Sequence, residues 1–176
     1  MLLNNAFYAQ NVDWYNSAES ESILIQNSYP KGGPYPGITT QHFNHSYLVF
    51  FSRIENKSDS AIKIDLTIKT DPIPIPNSPG TYMQLYLPQD EMTTDKINQF
   101  SYGLDSVPLN QYESDYKKKL DPGEHCYFYT VAFFYQDKDV EYQQRGGNRI
   151  KLILDREQVI LEMEPQVEYL KIGTIK

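Results

Sequence analysis

Cysteine is almost absent: Cys126 is the only one in 176 residues, so no disulfide forms within the chain and the cross-linked framework of small secreted domains is excluded. Its position alternates in register with Phe128 inside an apolar run, the setting of a small buried hydrophobe rather than a nucleophile. Histidine is scarce too, limited to His42, His45 and His125. No apolar run approaches the ~20 residues that a membrane-crossing helix needs. Positive charge is clustered only at Lys117-Lys118-Lys119 in a chain of net charge -7, which opposes nucleic acid and other polyanions, because phosphate binding needs a concentrated basic surface. Those lysines read as a solvated strand edge that discourages sheet-to-sheet pairing.

The common catalytic motifs are also lacking. There is no Gly-x-Ser-x-Gly elbow, no glycine-rich phosphate loop before a helix and no His-Glu-x-x-His. His42 and His45 flank the start of an expected strand, where their spacing does not converge on a metal and the obvious third ligand in sequence is missing; His125 would have to approach from a distant turn. The carboxylate pairs Asp90/Glu91 and Asp137/Asp139 lie in polar segments, and nothing places one in an apolar pocket. No catalytic residue, cofactor or metal is therefore assigned.

What is present is the composition and pattern of a β protein. The 15 tyrosines and an aromatic content of 14% favour strands, and 176 residues suit one domain with its own core. Ile62, Ile64, Leu66 and Ile68 alternate with Lys63, Asp65, Thr67 and Lys69, the period of a half-buried strand. Further strands are expected over 22–26, 47–55, 81–87, 112–120, 125–135, 149–154 and 158–163. The 47–55 and 125–135 runs are apolar on both faces, which predicts central positions. Asn56-Lys57-Ser58-Asp59-Ser60 and Leu120-Asp121-Pro122-Gly123-Glu124 have turn chemistry and predict hairpins, as does Asp155-Arg156-Glu157. Residues 29–37 hold three prolines and three glycines and predict an exposed loop. The prolines of 71–80 predict an extended sheet edge or, in preference, a crossover. Thr93 or Thr94 is positioned to cap a short helix through Phe100.

About eight closely spaced strands without alternating helices predict an all-β, two-sheet antiparallel β-sandwich, with an up-and-down β-barrel as the alternative. Asn56-Lys57-Ser58-Asp59-Ser60-Ala61-Ile62 and Leu120-Asp121-Pro122-Gly123-Glu124 resemble hairpins of immunoglobulin-like sandwiches, which implies an immunoglobulin-like arrangement. The domain is expected over 21–176, after an N-terminal segment at 1–20. Residues 1–9 resemble the last part of an export signal with a cut after Ala9, which predicts a periplasmic or secreted protein; a frayed terminus on a cytoplasmic protein is the alternative.

Tyrosines supply the candidate binding residues. Tyr82, Gln84 and Tyr86 fall on one strand face, the two rings ~13 Å apart, and Tyr29 and Tyr35 bracket the proline-glycine loop. Each ring offers an apolar body and a polar tip suited to sugars or a protein partner; plain packing is the competing explanation. Lys31-Gly32-Gly33 and the run from Arg145 to Arg149 join cations to glycines, as in loops that cradle an anion or simply turn a hairpin. The candidate ligand-binding set is thus Tyr29, Tyr35, Tyr82, Gln84, Tyr86, Arg145 and Arg149. A hydrolase with an unrecognised site around His42, His45 or His125 is the alternative to a non-enzymatic binding or structural module.

Taken together, Tyr29-Pro30-Lys31-Gly32-Gly33, Ile75-Pro76-Asn77-Ser78-Pro79-Gly80-Thr81-Tyr82, Leu85-Tyr86-Leu87-Pro88 and Arg145-Gly146-Gly147-Asn148-Arg149 resemble a family of uncharacterised, exported-looking bacterial β-rich proteins. The resemblance spans residues 23–154. It implies an exported β-rich protein, but carries no activity, substrate or catalytic residue.

Overall fold

The computed structural model describes residues 12–35, 43–68, 71–75, 78–104, 115–138, 149–164 and 168–176. Twelve strands lie among them: β1 (Trp14–Glu19), β2 (Ile23–Ser28), β3 (Lys31–Pro34), β4 (Phe43–Asn56), β5 (Ile62–Thr67), β6 (Ile73–Pro74), β7 (Thr81–Tyr86), β8 (Asp115–Leu120), β9 (His125–Asp137), β10 (Arg149–Asp155), β11 (Gln158–Glu164) and β12 (Glu168–Ile175). The larger sheet runs β1-β2-β4-β9-β7-β6, with β3 also paired to β4; the smaller runs β10-β11-β12-β5-β8. Both are antiparallel and pack face to face as a β-sandwich, each with its own edges, so the barrel alternative does not hold. Eight strands become twelve because β1, β3 and β12 were not anticipated and β6 was expected only as the edge alternative to a crossover. β1 lies at 14–19, in what was expected to be a segment ahead of the domain.

Alternation decides the inner layer. In β5, Ile62, Ile64 and Leu66 are buried between the sheets while Lys63, Asp65 and Thr67 face water. They meet Ile25, Phe50, Ile54, Leu85 and Phe128 of the larger sheet and Leu152, Val159 and Leu161 of the smaller. Each such aliphatic side chain contributes about 1.5–3 kcal/mol on burial.

The two predicted hairpins at 56–60 and 120–124 are instead crossings. β4 and β9 belong to the larger sheet, β5 and β8 to the smaller, and each turn carries the chain across the sandwich. At that end β4 already has β2 on one side and β9 on the other, which leaves no place for β5 beside it. The crossings are tied together by Asn56, which is fully buried. Its N–H donates to the Glu124 carbonyl (2.9 Å), its carbonyl accepts from the Gly123 N–H (2.9 Å), and its side-chain amide donates to the carbonyls of Ser60 (2.8 Å) and Leu120 (3.1 Å). Gly123, at φ 78°, supplies the left-handed position that the Pro-Gly turn requires. The predicted hairpin around 155–157 is present, joining β10 to β11.

Residues 31–34, expected as loop, pair with residues 46–49 of β4. Glycine makes this possible at position 32, where a Cβ would overlap the Tyr47 carbonyl. Between the Asn27–Ser52 and Lys31–Val49 pairs the chain takes four steps against three on β4, a bulge. Ser28 Oγ fills the gap by accepting from the Phe51 N–H at 2.9 Å. The proline segment crosses from the smaller sheet to the larger and then becomes its outermost strand, β6, so edge and crossover are both realised.

A second apolar layer covers the outer face of the larger sheet. Residues 88–104 form a strap whose Met92, Tyr102 and Leu104 are buried against Val49, Phe51, Tyr129 and Val131. The helix expected there is replaced by two 3-10 turns, Thr94–Lys96 and Phe100–Gly103, and Thr93 makes no side-chain cap. So short a segment does not repay helix nucleation, and contact with the sheet dictates its shape.

Candidate functional site

The register of β4, β9 and β7 lays their outward residues in rows. His45, Tyr135 and Tyr82 form one row; Tyr47, Phe133 and Gln84 the next; Val49, Val131 and Tyr86 the third. The strap seats over the later rows. Tyr47 Oη and Ser101 Oγ are 3.0 Å apart, the Tyr129 hydroxyl donates to the Tyr102 carbonyl (2.7 Å), and the Tyr102 ring meets Phe51 edge-on at 4.7 Å. The first row keeps contact with water. Tyr82 is 41% exposed and Phe43, two residues before His45 on the same face of β4, is 37% exposed.

Ring contacts brace this row from beneath. His45 stacks on Phe133 at 5.5 Å and meets Tyr135 edge-on at 5.7 Å; Tyr35 packs edge-on against Phe133 at 5.0 Å and Tyr47 at 5.9 Å. The hydroxyls form a chain in which Tyr135 donates to Tyr86 and Tyr86 donates to Gln84 Oε1 at 2.7 Å. Burial raises the proton affinity of both phenols, for Tyr135 reinforced by Tyr86 itself. Burial, then the charge of Lys138, lowers that of His45, whose Nδ1 is buried without a hydrogen-bond partner among the described residues. At neutral pH the ring systems are therefore uncharged, and Asp137 and Lys138 beside them contribute one charge of each sign.

The candidate residues are distributed as follows. Tyr35, Tyr82, Gln84 and Tyr86 come together here, but Tyr86 is only 5% exposed, so the tyrosine row open to a partner ends at Gln84. Tyr29, 48% exposed, lies across β4 on the side of β2, edge-on to Tyr15 at 5.4 Å. Arg149 begins β10 in the other sheet, and Arg145 lies outside the described residues, as do Asp139, His42 and the expected export remnant at 1–9. Lys31 does not cradle an anion: its ammonium donates to the carbonyls of Ile97 (2.6 Å) and Gln99 (3.2 Å) and lies 4.3 Å from the Tyr102 ring centre, fastening the strap.

His45 and His125 do not meet. They pair with Tyr135 and Glu55 respectively, ten positions apart along β9 and so ~33 Å. Among the described residues no group of three or more His, Cys, Asp or Glu side chains converges to hold a metal, and no helix is long and apolar enough to cross a membrane. Phe43, Phe133 and Tyr135 were missed as site residues. For Phe133 and Tyr135 the signal was the outward alternation Tyr127, Tyr129, Val131, Phe133, Tyr135 in β9, readable as a second apolar face but not as a neighbour of Tyr82.

Comparison with protein-family models, curated proteins and solved structures finds no match to this chain.

Proposed function

We propose that the protein is a non-enzymatic binding module of the bacterial envelope that engages a protein or glycan partner through Phe43, His45, Tyr82, Gln84 and Tyr135. One observation carries this reading. The outer face of the larger sheet is rich in aromatic side chains, its own strap covers part of it, and the end near His45 presents the Tyr82 and Phe43 rings to water with polar tips around them. Exposed rings held on a rigid sheet are suited to recognition, since little side-chain freedom is lost on contact. The location at the envelope is supported by the sequence resemblance and by the likeness of residues 1–9 to the last part of an export signal.

Tyr86 is a poor residue to test, because truncating it would open the second core. Tyr82→Ala with Phe43→Ala removes the exposed rings alone. Envelope extract and a glycan array passed over immobilised protein should yield a ligand whose retention falls about tenfold or more in the double variant, with the circular dichroism unchanged. Equal retention by a folded variant would refute the assignment.

A further inference from the structure

Resting on that reading of the patch, we infer that its ligand is a neutral carbohydrate. Three observations support the choice. First, the polar tips are uncharged donors and acceptors: the Tyr82 and Tyr135 hydroxyls, the Gln84 amide and the His45 imidazole, which burial keeps neutral. Second, among the described residues the charges that flank the row at the end of β9, Asp137 and Lys138, are of opposite sign, so they do not select an anionic or a cationic polymer, although the whole chain carries -7. Third, the row from His45 through Tyr135 to Tyr82 crosses three adjacent strands, ~10 Å in all, which gives an extended platform rather than a deep pocket.

A sugar ring matches this surface chemically. Its axial hydrogens present an apolar face to a phenyl or phenol ring while its equatorial hydroxyls reach sideways to amide, imidazole and phenol groups. A charged peptide would leave its ions facing neutral groups, which costs the hydration of those ions without a partner to replace it. An apolar helix would instead favour a groove lined by aliphatic side chains, and the polar tips here would be left unpaired against it.

Affinity electrophoresis of the full chain in gels containing a neutral polysaccharide (mixed-linkage β-glucan, xylan or dextran) or an anionic one (polygalacturonate or hyaluronan) tests the assignment. Retardation by at least one neutral polymer is expected, with the dissociation constant raised about tenfold or more by Tyr82→Ala and unchanged by Tyr29→Ala, an exposed tyrosine on the other side of β4. No retardation by any of the neutral polymers, retardation by the anionic ones alone, or equal retardation of wild type and Tyr82→Ala would each overturn the inference. A captured protein whose retention depends on Tyr82, without polysaccharide binding, would overturn the carbohydrate assignment while leaving the binding module standing. Loss of both would remove both.

Discussion

His45 shows how one side chain acquires a pH dependence from its neighbours. Burial against Phe133 and the charge of Lys138 hold its proton affinity below the ordinary imidazole value, so the folded state favours the neutral ring. Near pH 6.5 and just below, the unfolded chain binds more protons than the folded one. The stabilising contribution is thus complete above the ordinary value and lost as pH falls through the depressed one. His125 is lowered in the same direction, by burial first and Arg53 second, partly opposed by Glu55. Urea midpoints measured from pH 8 to pH 5 should fall for the wild type, and His45→Phe, which keeps a stacking ring but cannot titrate, should fall less. An unchanged slope in that variant would remove His45 from the account. None of this was legible in the sequence, where His45 registers only as the neighbour of His42, because Phe133 and Lys138 reach it through pairing nearly ninety positions away.

At the level of elements, the strap is held by a few polar contacts over a strained turn. Ser101, Tyr102 and Gly103 have φ of 47°, 53° and 70°, and the left-handed region costs a non-glycine residue about 1–2 kcal/mol. The buried Tyr102 ring and the Lys31 ammonium offset that cost. Lys31→Met keeps the aliphatic stem and removes the bonds to Ile97 and Gln99, so a loss of about 1–3 kcal/mol is expected in chemical unfolding. The single tryptophan reports the event, since Trp14 meets Phe51 edge-on at 5.4 Å beneath this layer. In the variant its emission should shift to the red at denaturant concentrations where the far-ultraviolet signal is still native; coincident transitions would refute local release of the strap. Strands with a full period of two, such as β5 and β7, were legible because alternation reports which face is wet. It does not report which strand lies alongside, and so a crossing between sheets reads the same as a hairpin. β3 and β6 hold four and two residues, too few to display a period. The Tyr82, Gln84 and Tyr86 face was visible for the same reason that β5 was, whereas its covering and its partners on β4 and β9 depend on contacts remote in sequence.

For the molecule as a whole, a sandwich must keep its open margins from pairing with other chains. β6 carries a proline and starts among others, and β8 carries Lys117, Lys118 and Lys119. β10 is guarded differently. The Asn27 amide, reaching across from β2, donates to the Leu152 carbonyl at 3.0 Å and accepts from the Leu152 N–H at 3.1 Å, while Ser52 Oγ donates to the same Asn27 oxygen at 2.9 Å. Asn27→Ala would leave these buried groups unpaired and is expected to cost about 2–4 kcal/mol in unfolding free energy. It should also raise the apparent mass in light scattering above that of the wild type as concentration increases; a less stable variant whose mass follows the wild type at every concentration would separate the amide from any role at this margin. A carboxamide standing in for a missing neighbour has a consequence for what another chain would meet at this margin. The backbone groups of Leu152 are occupied from the interior, by a residue that no inspection of surface charge or surface hydropathy would single out.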